Sequence, residues 1–167
     1  DLVIVYSGYE LVPYKRLWNK TSGVDQVRNC LENMSESDMA VLGFMDIDNF
    51  KSVNDTYGHE TGVFWIREVA TALQEMCGPS DIACRYGGDE YILFLQNIGD
   101  REELTARIEG FRKKIHDKAE EKGQDVHCSI GLYRVKGAGR KLAECIMISD
   151  GLLYQAKKNG KDTYVIE

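Results

Sequence analysis

Two blocks of this chain end apolar runs with carboxylates. Val41, Leu42, Phe44 and Met45 lead into Asp46 and Asp48, within Asp46-Ile-Asp-Asn-Phe-Lys-Ser-Val-Asn-Asp55-Thr-Tyr-Gly-His. Some forty residues later Ile82 and Ala83 lead into Arg85-Tyr-Gly-Gly-Asp-Glu-Tyr, which continues as Ile-Leu-Phe-Leu. Short apolar runs bounded by turn residues predict buried strands. Two such strands side by side place Asp46 and Asp89 at one sheet edge, where they could share a divalent metal. Hard cations such as Mg²⁺ take oxygen ligands, one or two carboxylates plus substrate phosphates. Gly87-Gly88 is a favoured two-residue hairpin turn and leaves backbone with no side chain to obstruct a ligand. Together the blocks imply a metal-assisted nucleotide site.

The elements that must carry these residues follow from pattern. Residues 1–16 read as an N-terminal segment whose β-branched run at 3–6 is either a strand or the tail of an upstream element. Residues 17–167 read as one domain. Helices are predicted at 22–34 with Ser22 as cap, at 49–57 ended by Gly58, at 60–77, at 100–121 and at 140–158. The 60–77 helix buries Ile66, Val69, Ala70, Leu73 and Cys77; the charged 100–121 helix turns Leu104, Ile108, Phe111 and Ile115 inward. Strands are predicted at 40–46, 82–86, 90–96, 126–134 and 163–166. This mixed α/β order with one adjacent hairpin implies a partly antiparallel sheet with helices packed on it.

With 167 residues and a net charge of −6, the chain suits one soluble domain and lacks the basic balance of a duplex nucleic-acid binder. Its composition shows no membrane-spanning run and no signal peptide, so a cytoplasmic setting is expected. It opens at Asp1 rather than Met, as a fragment of a longer chain would. Five scattered cysteines without Cys-x-x-Cys spacing read as small buried hydrophobes.

Four blocks, in order, now resemble a known family. Asp46-x-Asp-x-Phe-Lys-x-x-Asn-Asp-x-x-Gly-His, Arg-Tyr-Gly-Gly-Asp-Glu-Tyr, Ser129-Ile-Gly and Asp150-x-x-Leu-Tyr-x-Ala-Lys-x-x-Gly-Lys look like the GGDEF domain of diguanylate cyclases. The resemblance implies a palm-like nucleotidyl cyclase core of the α/β (α+β) class: a central, mostly antiparallel, five-stranded sheet surrounded by helices, its β-hairpin carrying the signature. It implies condensation of two GTP into cyclic di-GMP by an antiparallel homodimer, with two Mg²⁺ or Mn²⁺ per active site and a sensory or regulatory domain upstream. Carried over by residue, Asp46 and Asp89 become metal carboxylates and the Ile47 carbonyl a further ligand. Glu90 becomes a ligand or the acceptor of the 3′-OH proton. The amides of Asn49 and Phe50 would bind β- and γ-phosphates at a helix start, with Lys51, Lys157 and Lys161 as phosphate contacts and Asn54 on the guanine edge. Asp48 takes a structural hydrogen bond or a metal role; His59 reads as structural, and His116 and His127 stand without motif company.

The chain also departs from the family pattern. Val63 stands where the family has an Asp that accepts from guanine, so guanine preference should weaken; family members altered at this position also accept ATP. Lys161 replaces the usual Arg and loses its bidentate fork. Gly78-Pro-Ser-Asp81 stands where an Arg-x-x-Asp forms the inhibitory product site, so product feedback there should be lost. Of the opening Asp-x-Leu-Thr-x-Leu-x-Asn-Arg element only the Leu17-x-Asn19-Lys20 half survives. Tyr91 replaces a Phe and keeps its aromatic body. An active cyclase with relaxed base choice is therefore one expectation; a degenerate domain acting as a nucleotide-binding or protein-interaction module is the other.

Overall fold

The computed structural model describes residues 9–12, 15–98 and 100–167. The apolar run at 3–6 lies outside the described residues, as do Pro13 and Tyr14 of the opening element. In chain order the elements are β1 (Tyr9–Val12), β2 (Lys15–Trp18), α1 (Lys20–Glu32), β3 (Met39–Ile47), α2 (Phe50–Tyr57), α3 (His59–Met76), β4 (Ile82–Arg85), β5 (Glu90–Gln96), α4 (Arg101–Lys122), β6 (Cys128–Lys136), α5 (Leu142–Lys158) and β7 (Tyr164–Ile166). All five expected helices and all five expected strands form.

The sheet has seven strands, in the order β1-β2-β4-β5-β3-β6-β7. The two beyond the expected five are the β1–β2 pair, which joins the edge of β4 through a single parallel bridge, Trp18 to Cys84. Nothing in the alternation of residues 9–18 distinguishes so short an edge pair from an entering segment. β6–β7 is also parallel, and the remaining pairings are antiparallel.

β3 is central and covered on both faces, which is why it reads as a continuous apolar run. Alternation divides its side chains between two cores. Val41, Met45 and Ile47 join the core under α3 and α4, with Trp65, Leu73, Ile108 and Phe111. Ala40, Leu42 and Phe44 join the core under α1 and α5, with Val27, Leu31 and Leu153. The next even residue is Asp46, so its side chain points to the α5 side. Parity on one strand thus decides which helix must supply its partner.

Several local expectations need correction. α1 starts two residues earlier than predicted, because Asn19 rather than Ser22 is the N-cap: Ser22 donates its N–H to Asn19 Oδ1 at 2.9 Å. On α3, Val69, Ala70 and Leu73 are buried as expected together with Trp65, whereas Ile66 and Cys77 are only partly buried at the margin of the core. The signature turn is not a two-residue hairpin. Arg85 pairs with Tyr91, and both Tyr86 and Gly87 donate to the Glu90 carbonyl, at 2.8 and 3.2 Å. Neither Gly87 nor Gly88 has the positive φ that such a turn demands.

α5 lies against the sheet without room to spare. Buried Ser149 donates to the Leu42 carbonyl at 3.0 Å, tying the helix to β3. A Cβ on Gly131 of β6 would come within 2.2 Å of the Ser149 carbonyl oxygen and 2.3 Å of the Leu153 nitrogen. Both are backbone atoms, which cannot rotate away. Gly131→Ala should therefore destabilise at or above the upper end of the roughly 1–3 kcal/mol typical of overpacking, read as a lowered denaturation midpoint. Gly151→Ala, on the same helix with open space around it, should not.

Candidate active site

β3 and the β4–β5 turn end at the same edge of the sheet, as the sequence pattern required. There Asp46, Ile47, Asn49, Phe50, Lys51, Asn54, Asp89, Lys157 and Lys161 line one cleft of about 530 Å³, with Asp48 at its base. The first helical residues of α2 open onto this cleft, and the end of α5 and the loop after it close the other side. Val63, Gly87, Gly88 and Glu90 are not among the lining residues. Val63 instead faces a separate depression on α3 with His59 and Phe64.

The register places Glu90 directly opposite Asp46 on β5, and Ser129 opposite it on β6. Residues directly opposite share a face, so Glu90 flanks Asp46 on the neighbouring strand at the sheet end. Gly87 makes room for the Glu90 carboxylate: a Cβ there would lie 2.5 Å from Glu90 Oε1. Arg85 braces the turn by donating to the carbonyls of Gly87 at 3.1 Å and Gly88 at 2.7 Å.

Asp46 and Asp48 have opposite surroundings. Asp48 is buried and accepts three hydrogen bonds, from His127 Nδ1 at 2.6 Å, Ser129 Oγ at 2.6 Å and the Asp162 N–H at 2.9 Å. Burial alone would raise its pKa, but these bonds outweigh it and hold the carboxyl below the ordinary range. Of the two roles the sequence left to Asp48, this is the structural one. Asp46 has a single cation, Lys157 Nζ, on Oδ2, while its Oδ1 is buried without a partner. Burial pushes Asp46 up to about 6 despite Lys157, and the charges of Asp89 and Asp48 add to the rise. Burial also raises Asp89. Lys157 is raised because its bond to Asp46 outweighs its own desolvation. The two shifts agree once exposure is considered: the Asp46 side chain is 10% exposed and that of Lys157 36%.

A buried carboxylate oxygen without a donor is what a hard cation would complete. Among the described residues no three His, Cys, Asp or Glu side chains gather into a full metal cage. Mg²⁺ does not need one, since it retains waters and takes substrate phosphates as ligands. Asp46, Asp89 and the strand-end carbonyl of Ile47 fit that donor set.

On the opposite wall Asn49 adopts a left-handed conformation (φ 50°) just before α2, and its Oδ1 accepts from Lys161 Nζ at 2.6 Å. Lys51 is exposed. Asn54 Oδ1 is buried without a partner. Gly62 allows this, because a Cβ at 62 would fall 1.8 Å from that oxygen. His127 and Ser129 are site residues that sequence reasoning left without a role. The available signal was their spacing of two on a strand, which puts both on the face toward Asp48. Tyr91 is fully buried and donates its hydroxyl to the Ile66 carbonyl at 2.8 Å, so the change from Phe has found a partner.

Asp81, in the segment aligned with an inhibitory site, is spent on local structure. It accepts from the Gly78 N–H at 2.7 Å, the Gln96 N–H at 2.8 Å and Arg107 Nη2 at 2.8 Å, and its side chain is 4% exposed.

A palm-like fold with this cleft matches known proteins. The chain belongs to the GGDEF family: residues 14–163 match the family described as diguanylate cyclase, GGDEF domain. It is 35% identical over 133 residues to diguanylate cyclase DosC of Escherichia coli K12, covering 78% of this chain and 28% of that protein. It is 35% identical over 125 residues to diguanylate cyclase VdcA of Vibrio cholerae, covering 72% and 37%. The chain thus spans only about a third of the length of these relatives. The GGDEF domain of DgcB from Caulobacter crescentus, solved in complex with c-di-GMP, shares the fold with a TM-score of 0.83 at 24% identity, over 99% of this chain and 98% of that one. No helix among the described residues is long and apolar enough to cross a membrane.

The Asp48–His127 pair gives a signed pH dependence. The bond to Asp48 raises His127, so its contribution to stability is present below about pH 6.5 and lost as pH rises through the raised value. The lowered Asp48 contributes above about pH 4 and loses that as pH falls through its depressed value. Between pH 6 and 9 the thermal midpoint should therefore fall further in wild type than in His127→Gln. Parallel curves would remove the pair from the account.

Proposed function

We propose that this domain is a diguanylate cyclase-type nucleotidyltransferase that condenses two GTP into cyclic di-GMP and releases two pyrophosphates. The observation that carries the proposal is the unmatched charge at the end of the sheet. Asp46 and Glu90 stand opposite in register with Asp89 beside them, and one Asp46 oxygen is buried without a donor. That arrangement calls for added cation. Asp46, Asp89, Glu90 and the Ile47 carbonyl would hold two Mg²⁺ or Mn²⁺, which when bound activate a hydroxyl and hold the triphosphate.

The residues around them divide the remaining work. The amides of Asn49 and Phe50, at the positive end of α2, receive the β- and γ-phosphates with Lys51, Lys157 and Lys161. The 3′-OH of one nucleotide attacks the α-phosphorus of the other, the bond to pyrophosphate breaks, and Glu90 accepts the hydroxyl proton. Gly87 and Gly88 leave backbone without side chains at the signature turn. Because each protomer holds one GTP, the reaction needs an antiparallel homodimer; a regulatory domain elsewhere in a longer cytoplasmic protein would set its activity.

Purified protein incubated with GTP and Mg²⁺ or Mn²⁺, with products separated by chromatography, tests this directly. Cyclic di-GMP should form, and Asp46→Asn should abolish it while leaving the fold intact. Nucleotide binding without product would favour the second reading, a degenerate regulatory module, for which the loss of the acidic base reader at Val63 is the specific support.

Base choice follows from the same change. Val63 does not line the cleft, but it adjoins Gly62, which packs on Asn54. With valine there in place of an acid, Asn54 remains the main polar partner for guanine, and adenine no longer meets a carboxylate facing its unprotonated N1. One hydrogen-bonding partner contributes only about 0.5–1.5 kcal/mol net, so preference for GTP over ATP should stay within about tenfold. Val63→Asp should raise use of GTP and depress use of ATP in competition. A thousandfold preference already present in wild type would show that other residues read the base.

A further inference from the structure

The segment after α5 has an unusual backbone. Gly160, Lys161 and Asp162 all have positive φ, at 112°, 64° and 47°, and the latter two have side chains that disfavour this region. Asn49, which accepts from Lys161 Nζ, is left-handed as well. A cationic side chain at the cleft thus depends on backbone that the chain does not favour by itself, and something must hold it.

The holding groups converge on Asp162. Its N–H donates to Asp48 Oδ2 at 2.9 Å. Its carbonyl accepts from Arg112 Nη2 at 2.6 Å, and its carboxylate meets His116 Nε2 at 2.7 Å. Arg112 and His116 belong to α4, which contributes no residue to the lining of the cleft. The Arg112 side chain is 17% exposed, and its Nη1 is fixed by Glu109 at 2.9 Å. A guanidinium anchored at one end and aimed at a carbonyl is a rigid brace, which a flexible ammonium could not reproduce.

We infer that Arg112 is a positioning residue for the triphosphate end of the nucleotide: through the Asp162 carbonyl it keeps residues 160–162 left-handed and so keeps Lys161 at Asn49. The inference rests on the proposed nucleotide site. It adds a line of mechanical connection from α4, on the outer face of the molecule, to the phosphate-binding wall. Movement of α4 by a neighbouring domain would change phosphate affinity without touching the cleft.

The test compares wild type, Arg112→Gln, Lys161→Ala and the double variant, titrated calorimetrically with GTP and with GMP in Mg²⁺. Arg112→Gln should weaken GTP by about tenfold, the worth of one charge-assisted contact, and leave GMP unchanged. Lys161→Ala should do the same, and the double variant should be little worse than either, since both remove one contact. Arg112→Lys, which keeps stem and charge, should fold and fall between wild type and Gln. Hydrogen exchange at the Lys161 and Asp162 amides should quicken in Arg112→Gln while β6 stays protected. Equal weakening of GTP and GMP, multiplying losses in the double variant, or unchanged exchange with GTP binding intact would each overturn the inference alone. Wild type that binds no GTP would instead overturn the nucleotide site and this inference with it.

Discussion

The apolar run of β3 ends in Asp46, with Asp48 in the turn just beyond it, so both enter the interior at one sheet edge, and the register adds Glu90 across from the first. Burying a carboxylate is costly unless it is paired and hydrogen-bonded. Most of the local architecture can be understood as the response to that cost. β6 brings His127 and Ser129 to Asp48, α5 brings Lys157 to Asp46, and the loop after α5 brings the Asp162 N–H. Three elements distant in sequence are thus held by two side chains at the end of one strand and the turn after it.

Close approach makes this possible. α5 reaches Asp46 only because Gly131 lets its backbone lie on β6, and Ser149 fixes its height by bonding to Leu42. Gly62 plays the matching part for α2 and α3, leaving room for the buried Asn54 Oδ1 between the two helices. These glycines set the separation of helix and sheet, and the separation sets where Lys157 and Asn54 end.

The parts of this structure legible in the sequence are those with local causes. Apolar runs, periodicity and caps located five helices and the five strands β3 to β7, and the spacing of the two acidic blocks brought Asp46 and Asp89 to one edge. The Asn49, Phe50, Asn54, Lys157 and Lys161 assignments came from resemblance to a family, and the fold brings these residues to one cleft with Asp46 and Asp89. What escaped has non-local causes. The cap of α1 was misplaced because Asn19 and Ser22 are both good caps, and only the chain's entry from β2 selects the first. The β1–β2 pair is held by one bridge and has no periodic signature. His127 and His116 stand without motif company in the sequence because their partners, Asp48 and Asp162, lie 79 and 46 residues away, and Arg112 carries no local signal because its Asp162 partner lies 50 residues away.

The Asp-Ile-Asp pair shows why motif symmetry misleads. In sequence the two carboxylates are equivalent, two residues apart on one strand and on the same face. In the fold the end of β3 separates them: Asp46 is the last even residue of the strand, and Asp48 lies in the turn that leads to Asn49. The turn presents Asp48 to three donors, from His127, Ser129 and the loop after α5, which engage both of its oxygens and favour its anionic form. Asp46, still under α5, receives Lys157 on one oxygen and nothing on the other, and burial raises its pKa to about 6. A carboxylate engaged on both oxygens is committed to holding structure together, whereas one with an unpartnered oxygen can still take a ligand. Two identical side chains are thus given different environments by their partners, one hydrogen-bonded on both oxygens and one with an oxygen left open, as environments divide paired carboxylates in acid–base catalysis. Because Asp48 also accepts from the Asp162 N–H, it helps shape the Lys161 side of the cleft that faces Asp46.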